Sequence, residues 1–193
     1  PLNSYRVRPE YALTPGAVDA FVFWTRNVAP FLPALREIHR RGFPFVVQYA
    51  VIQPGSALTR FCRIADAFGP RAAVWRFDPI AAVEAAQPDA LAKRFARIAG
   101  ALRSATDEVV LAFAQTKGKP RLDATGAWAA DTPESAANRL LVKRLAAIAG
   151  EHAMRLTLCA QPEFLTVGAA PARCIDLRRL RDPSLREQPL PRP

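Results

Sequence analysis

Arg76 and Asp78 are separated by one residue in the run Val74-Trp-Arg-Phe-Asp-Pro79, so in an extended chain they share one face. A guanidinium presents a rigid fork of donors to a carboxylate or phosphate, and a neighbouring carboxylate orients that fork or accepts a ligand hydroxyl. Four amide side chains occupy comparable places: Asn27, Gln48, Gln115 and Gln161 each close or follow an apolar run. Collected at one edge of a sheet, these six residues would form a mouth for a small anionic, hydrogen-bonding ligand such as a carboxylate or nucleotide. The same residue types also permit a plainer arrangement. Arg76 and Asp78 could be an internal ion pair that satisfies buried polar groups, and Asn27 could cap the helix that follows it. No pattern names a catalytic residue.

Three cysteines, Cys62, Cys159 and Cys174, are widely separated in sequence, and no Cys-x-x-Cys occurs. The odd number argues against a disulfide framework, and no metal site is expected within this chain. Cys159 shares strand parity with Gln161, whereas Cys62 reads as core filler on a helix stripe. His39 and His152 fall beside charged residues on helix faces and read as solvated surface groups. Trp24 reads as core.

The elements that must position these residues follow from apolar runs that end in polar clusters. Strands are expected over about 18–24, 43–52, 72–77, 108–114 and 154–159, each buried on both faces. Between them, helices are expected over 30–41, from Gly55-Ser56 to Gly69-Pro70, over 89–104, and from a cap at Asp131 or Thr132 to Gly150. The last of these should bury Leu140, Leu141, Leu145 and Ile148. A long loop covers 116–131. The alternation predicts an α/β fold, a partial (β/α) TIM-type barrel of about five parallel strands with outer helices. Ligands of such sheets collect at the carboxyl ends of the strands, where the polar clusters lie. No dinucleotide fingerprint or phosphate-cradling Gly-Lys-Ser/Thr loop follows any strand, which argues against a Rossmann cofactor domain. Residues 1–16 read as a lead-in loop, 17–177 as the barrel-like domain and 178–193 as an Arg/Pro-rich tail or linker.

The formal net charge of +10 favours anionic partners. Its arginines are spread along helix faces, which reads as a solvated surface more than as a nucleic-acid track. No apolar stretch approaches the roughly 20 residues that span a bilayer, so no membrane association is expected. The Ala/Arg/Pro-rich composition is that of a soluble cytoplasmic protein of a GC-rich bacterium. The chain begins at Pro1 and ends in Gln188-Pro-Leu-Pro-Arg-Pro193, as a piece of something longer would.

The run Val18-Asp-Ala-Phe-Val-Phe-Trp-Thr-Arg-Asn27, followed by Pro30 and Leu32, resembles the most distinctive motif of the bacterial domain of unknown function 1848 family. Similarity continues through Gly42-Phe-Pro-Phe-Val-Val-Gln-Tyr49, Val74-Trp-Arg-Phe-Asp-Pro-Ile80, Leu158-Cys-Ala160 and Cys174-Ile-Asp176, in the same order and spacing, over about residues 15–177. Family members typically begin with a Ser-Arg-Arg-Thr-Asp-type strand end and finish with Cys-x3-Cys-x2-Cys. The latter is similar to the cluster motif of radical S-adenosylmethionine enzymes, whose catalytic domain is a partial (β/α) barrel. The resemblance therefore implies a [4Fe-4S] cluster and S-adenosylmethionine for a full-length member, with neither segment present here. It also implies a functional role for Cys174 before Ile175-Asp176, with Cys159 the other candidate functional cysteine or else a small buried hydrophobe. Gln161 stands where the family usually has an acidic residue, and the loop after strand four lacks the usual aromatic.

Overall fold

The computed structural model describes residue 14 and residues 17–114 and 133–185; Gln115, the loop expected over 116–131 and residues 186–193 lie outside the described residues. Strands β1 (Phe21–Thr25), β2 (Phe45–Ala50), β3 (Ala73–Ile80), β4 (Glu108–Phe113), β5 (Arg155–Leu158) and β6 (Ala169–Pro171) form one sheet. Every neighbouring pair is parallel, and the strands lie side by side in chain order. A doubly wound sheet reverses its order at a switch point, whereas sequential order is that of a (β/α) barrel. The α/β fold expected from the alternating pattern is therefore present, with one strand more than expected. β6 is Ala-Ala-Pro and has no apolar run to announce it; it pairs alongside Leu156 to Leu158 of β5.

Helices α1 (Leu32–Arg40), α2 (Ser56–Phe68), α3 (Ala82–Ala85), α4 (Pro88–Leu102) and α5 (Pro133–Glu151) connect the strands, and α6 (Leu177–Leu180) follows β6. Strand parity decides which residues they cover. Phe45 and Tyr49 of β2 and Trp75 and Phe77 of β3 point to the helical side. There Phe68 of α2 meets Phe45 with ring centroids 5.0 Å apart, and Phe61 of α2 meets Tyr49 at 5.8 Å. Phe95 of α4 stacks on Trp75 at 4.8 Å and meets the edge of Phe77 at 5.2 Å. The Trp75 indole N–H donates to the Val51 carbonyl at 2.9 Å, so the largest core side chain carries no unsatisfied donor. Gly42 ends α1 at φ 78°, a left-handed conformation glycine adopts without the Cβ penalty.

Two expectations about these helices are corrected. His39 is buried, not solvated: its ring packs edge-on against Phe45 and Phe68 at 6.3 and 5.4 Å, because its position on α1 faces the sheet with Leu35. Leu140 is 70 % exposed. The stripe of α5 is set by Leu141, Val142, Leu145 and Ala149, and Leu140 falls on its flank. No helix among the described residues is long and apolar enough to cross a membrane.

Opposite parity gives the other face of the sheet, and here the chain returns on itself. Residues 177–185, where the Arg/Pro-rich segment begins, form α6 and a 3-10 turn, with Arg179, Leu180 and Leu185 buried. Leu180 and Arg179 lie against Val22, Val46 and Val74 across a gap with no room for a water molecule. Asp176 caps α6 by accepting from the backbone N–H groups of Arg178 and Arg179 at 3.0 and 3.4 Å. Arg179, 2 % exposed, donates to Asp107 at 2.7 Å, to Glu108 at 2.9 Å and to the Arg71 carbonyl at 3.0 Å. Glu108 also accepts from Arg155 at 2.9 Å and from the Thr157 hydroxyl at 3.0 Å. This network clamps the returning segment to the amino-terminal ends of β4 and β5.

Removing Arg179 takes away its buried charge-assisted bonds but leaves Glu108 paired with Arg155 and Thr157, so Arg179→Ala should cost about 1.5–3 kcal/mol in denaturant-monitored unfolding. Arg144→Ala, which removes the exposed Arg144–Asp89 pair, should leave the midpoint nearly unchanged. Equal effects of the two substitutions would contradict the clamp.

Candidate functional site

The polar strand ends meet at the carboxyl edge of β1, β2 and β3. β1 pairs with β2 so that Trp24 lies beside Gln48, and β2 pairs with β3 so that Ala50 lies beside Arg76. All of these share the parity opposite to the helix-covered aromatics. An open cavity of about 360 Å³ results, bounded by Trp24, Arg26, Gln48, Arg76, Asp78 and Pro79. The Asp78–Pro79 peptide is cis.

Arg76 and Asp78 are paired as well as adjacent. The guanidinium donates from Nε at 2.9 Å and from Nη2, both onto the single oxygen Oδ2. Their side chains are 12 % and 17 % exposed, so the pair is at the floor of the cavity and not in bulk water. Burial alone would depress the Arg76 pKa, but the Asp78 carboxylate and the neighbouring Cys159 together outweigh it and raise it above its ordinary value. Arg76 therefore stays a cation throughout the accessible pH range. Asp78 Oδ1 has no hydrogen bond among the described residues, which leaves a carboxylate oxygen beside a fixed guanidinium. Gln48 adds a second unmatched group. It is 4 % exposed, yet its Oε1 has no hydrogen-bond partner among the described residues. A buried amide oxygen without a partner is costly, and here it belongs to a side chain that lines the cavity.

Of the six residues expected at the mouth, the structure brings Gln48, Arg76 and Asp78 together. Asn27 turns to its own backbone: its Oδ1 accepts from the Ala29 N–H at 3.2 Å, and its N–H donates to Thr25 Oγ1 at 3.0 Å. This is a local turn before the 3-10 turn and α1, whose N-cap positions are Val28 and Phe31, so Asn27 neither lines the mouth nor caps the helix as the sequence allowed. Gln161 is 6 % exposed and binds the Phe113 backbone in both directions, accepting from its N–H at 2.8 Å and donating to its carbonyl at 3.0 Å. Its amide thus continues the β4–β5 ladder as a peptide group would. The cause is Ala160, whose φ of 55° places it in the left-handed region, so the strand alternation that would pair Gln161 with Cys159 ends at that residue. Gln115 lies outside the described residues.

The structure adds Trp24 and Arg26, which sequence did not place at the mouth. Trp24 is 51 % exposed and is not core, because its parity with Val22 turns it away from the helices. Strand parity was the available signal; aromatic character concealed it. Beyond Arg76 lie two sulfurs. Cys159 directly follows β5, and Cys174 lies between β6 and α6, with Sγ atoms 3.8 Å apart. Burial pushes the Cys174 thiol up and Cys159 pushes it further, while Arg76 acts in the opposite sense. Cys62 sits on α2 against the core.

A double-mutant cycle separates a ligand-facing pair from a purely structural one. With one oxygen of Asp78 open to the cavity, Arg76→Ala should cost only about 1–2 kcal/mol in thermal melts. A loss of about 3–5 kcal/mol for either single substitution, largely restored in Arg76→Ala/Asp78→Ala, would mark the pair as structural.

Comparison with curated proteins finds no match to the chain. A family model does match, over residues 1–188, which covers the mouth, the sulfur pair and the clamp. The chain belongs to the family described as Domain of unknown function (DUF1848).

Proposed function

We propose that this chain is the ligand-binding barrel body of an enzyme, and that it takes a small anionic, hydrogen-bonding molecule at the mouth formed by Trp24, Gln48, Arg76 and Asp78. The observation that carries this reading is the Arg76–Asp78 pair lining an open cavity, its guanidinium matched on one carboxylate oxygen only. A ligand carboxylate or phosphate would add to the Arg76 fork, and a ligand hydroxyl or amine would supply the donor that Asp78 Oδ1 lacks. Trp24, exposed at the rim, offers a face for a planar or apolar portion.

The family resemblance implies an iron–sulfur, radical S-adenosylmethionine-like parent. The residues present do not make a cluster site: four thiolates are the usual ligand set, the chain has three cysteines, and only Cys159 and Cys174 meet. Among the described residues no three His, Cys, Asp or Glu side chains gather as metal ligands. The mouth alone therefore supports the reading.

The rival is a non-catalytic α/β module that binds an anionic ligand or nucleic acid, and its nucleic-acid form draws on the net charge of +10. Many of the arginines are matched, however: Arg40 with Glu37, Arg71 with Asp107 and Asp182, Arg94 with Glu84, Arg155 and Arg179 with Glu108. Paired cations release few counterions on binding a phosphate backbone, which favours the small-ligand reading.

Calorimetric titration of a panel of small carboxylates, phosphates and nucleotides, with an oligonucleotide alongside, distinguishes the two. The expected result is saturable binding of a small anion that Arg76→Ala weakens by more than about tenfold, the loss of one charge-assisted contact. Binding of the oligonucleotide alone, steeply salt-dependent and indifferent to Arg76→Ala, would overturn the proposal.

A further inference from the structure

We propose that Cys159 and Cys174 form a dithiol modification site that exchanges with small-molecule disulfides and closes into a reversible intramolecular disulfide. The two residues come from different parts of the chain, 15 positions apart, yet their sulfurs are in contact at 3.8 Å and both are free. That separation is too long for a bond of about 2.05 Å and short enough for side-chain rotation to close. Among the described residues no third His, Cys, Asp or Glu joins them, so the pair lacks the donors of a tetrahedral metal site. What remains is the chemistry of two adjacent thiols.

Their surroundings divide the labour. Cys174 is exposed, in the stretch between β6 and α6, and a small disulfide can reach it; Cys159 is half-buried behind it. Burial and the neighbouring sulfur hold the Cys174 thiol above its ordinary pKa, with Arg76 acting in the opposite sense, so the exchange should quicken as pH rises. The step balances with a low-molecular-weight disulfide such as oxidised glutathione as the oxidant. The Cys174 thiolate attacks one glutathione sulfur, the glutathione disulfide bond breaks, and one glutathione leaves as thiolate and takes up the proton from Cys174. The Cys159 thiolate then attacks the Cys174 sulfur of the mixed disulfide, and the second glutathione leaves and takes up the proton from Cys159. Two protein thiols are oxidised by two electrons, and one glutathione disulfide is reduced to two thiols.

The test uses the full chain, reduced and freed of reductant, equilibrated anaerobically with mixtures of oxidised and reduced glutathione, quenched with alkylating agent and mapped by mass spectrometry. The expected result is loss of two of the three thiols, one linked Cys159–Cys174 peptide, Cys62 recovered alkylated, and reversal by excess reduced glutathione. In Cys159→Ser the reaction should stop at a mixed disulfide on Cys174; should that variant not fold, the wild-type map decides alone. Retention of all three thiols, separate glutathione adducts without linkage, or a link to Cys62 would each overturn the proposal.

Discussion

The packing constraint on which the rest of this molecule depends is the burial of one aromatic row. Phe45, Tyr49, Trp75 and Phe77 must all face the helices, where Phe61, Phe68 and Phe95 meet them. Burying a side chain of this size contributes on the order of 2–3 kcal/mol, so a one-residue slip in any of these strands would expose several such groups at once. With that row committed, the alternate row has no choice of direction. Val22, Trp24, Val46, Gln48, Val74, Arg76 and Asp78 face away from the helices. The polar members of this row lie in the carboxyl halves of their strands, so parallel pairing delivers them to one edge.

That second face divides into two regions with different physics. Near the amino-terminal ends it is closed by the returning segment, where Arg179 and Glu108 neutralise each other out of water and Leu180 fills the space between valines. Near the carboxyl ends it stays open, and Arg76, Asp78 and Gln48 have fewer partners than their chemistry can use. The closed half pairs its charges, with Arg179 Nε left without a hydrogen bond among the described residues, whereas the open half sets an ion pair with an unmatched carboxylate oxygen against a cavity, the arrangement a ligand site needs.

Much of this was legible in the residues. The long apolar runs marked five strands, Gly42 and Gly69 marked helix ends, and the Arg76-x-Asp78 spacing marked a shared face. What was not legible depended on conformations that no local pattern encodes. β6 is three residues without an apolar run, recognisable only from its pairing with β5. Gln161 left the mouth because Ala160, a residue with no left-handed preference, adopts φ 55°. Trp24 looked like core because tryptophan usually is, yet parity outranked composition at the end of β1. The Cys159–Cys174 contact joins segments whose approach depends on β6 and the α6 clamp, neither of which sequence alone supplied.

The measurement that bears most directly on the mouth as a ligand site is a phosphate titration followed by nitrogen-15 NMR with side-chain resonances assigned. The account predicts saturable, concerted shifts of the Gln48 amide, the Arg76 Nε–H and the Trp24 indole N–H, with the Trp75 indole, held on Val51, unmoved. Shifts confined to the arginines of the outer helices, with Gln48 and Arg76 silent, would contradict it.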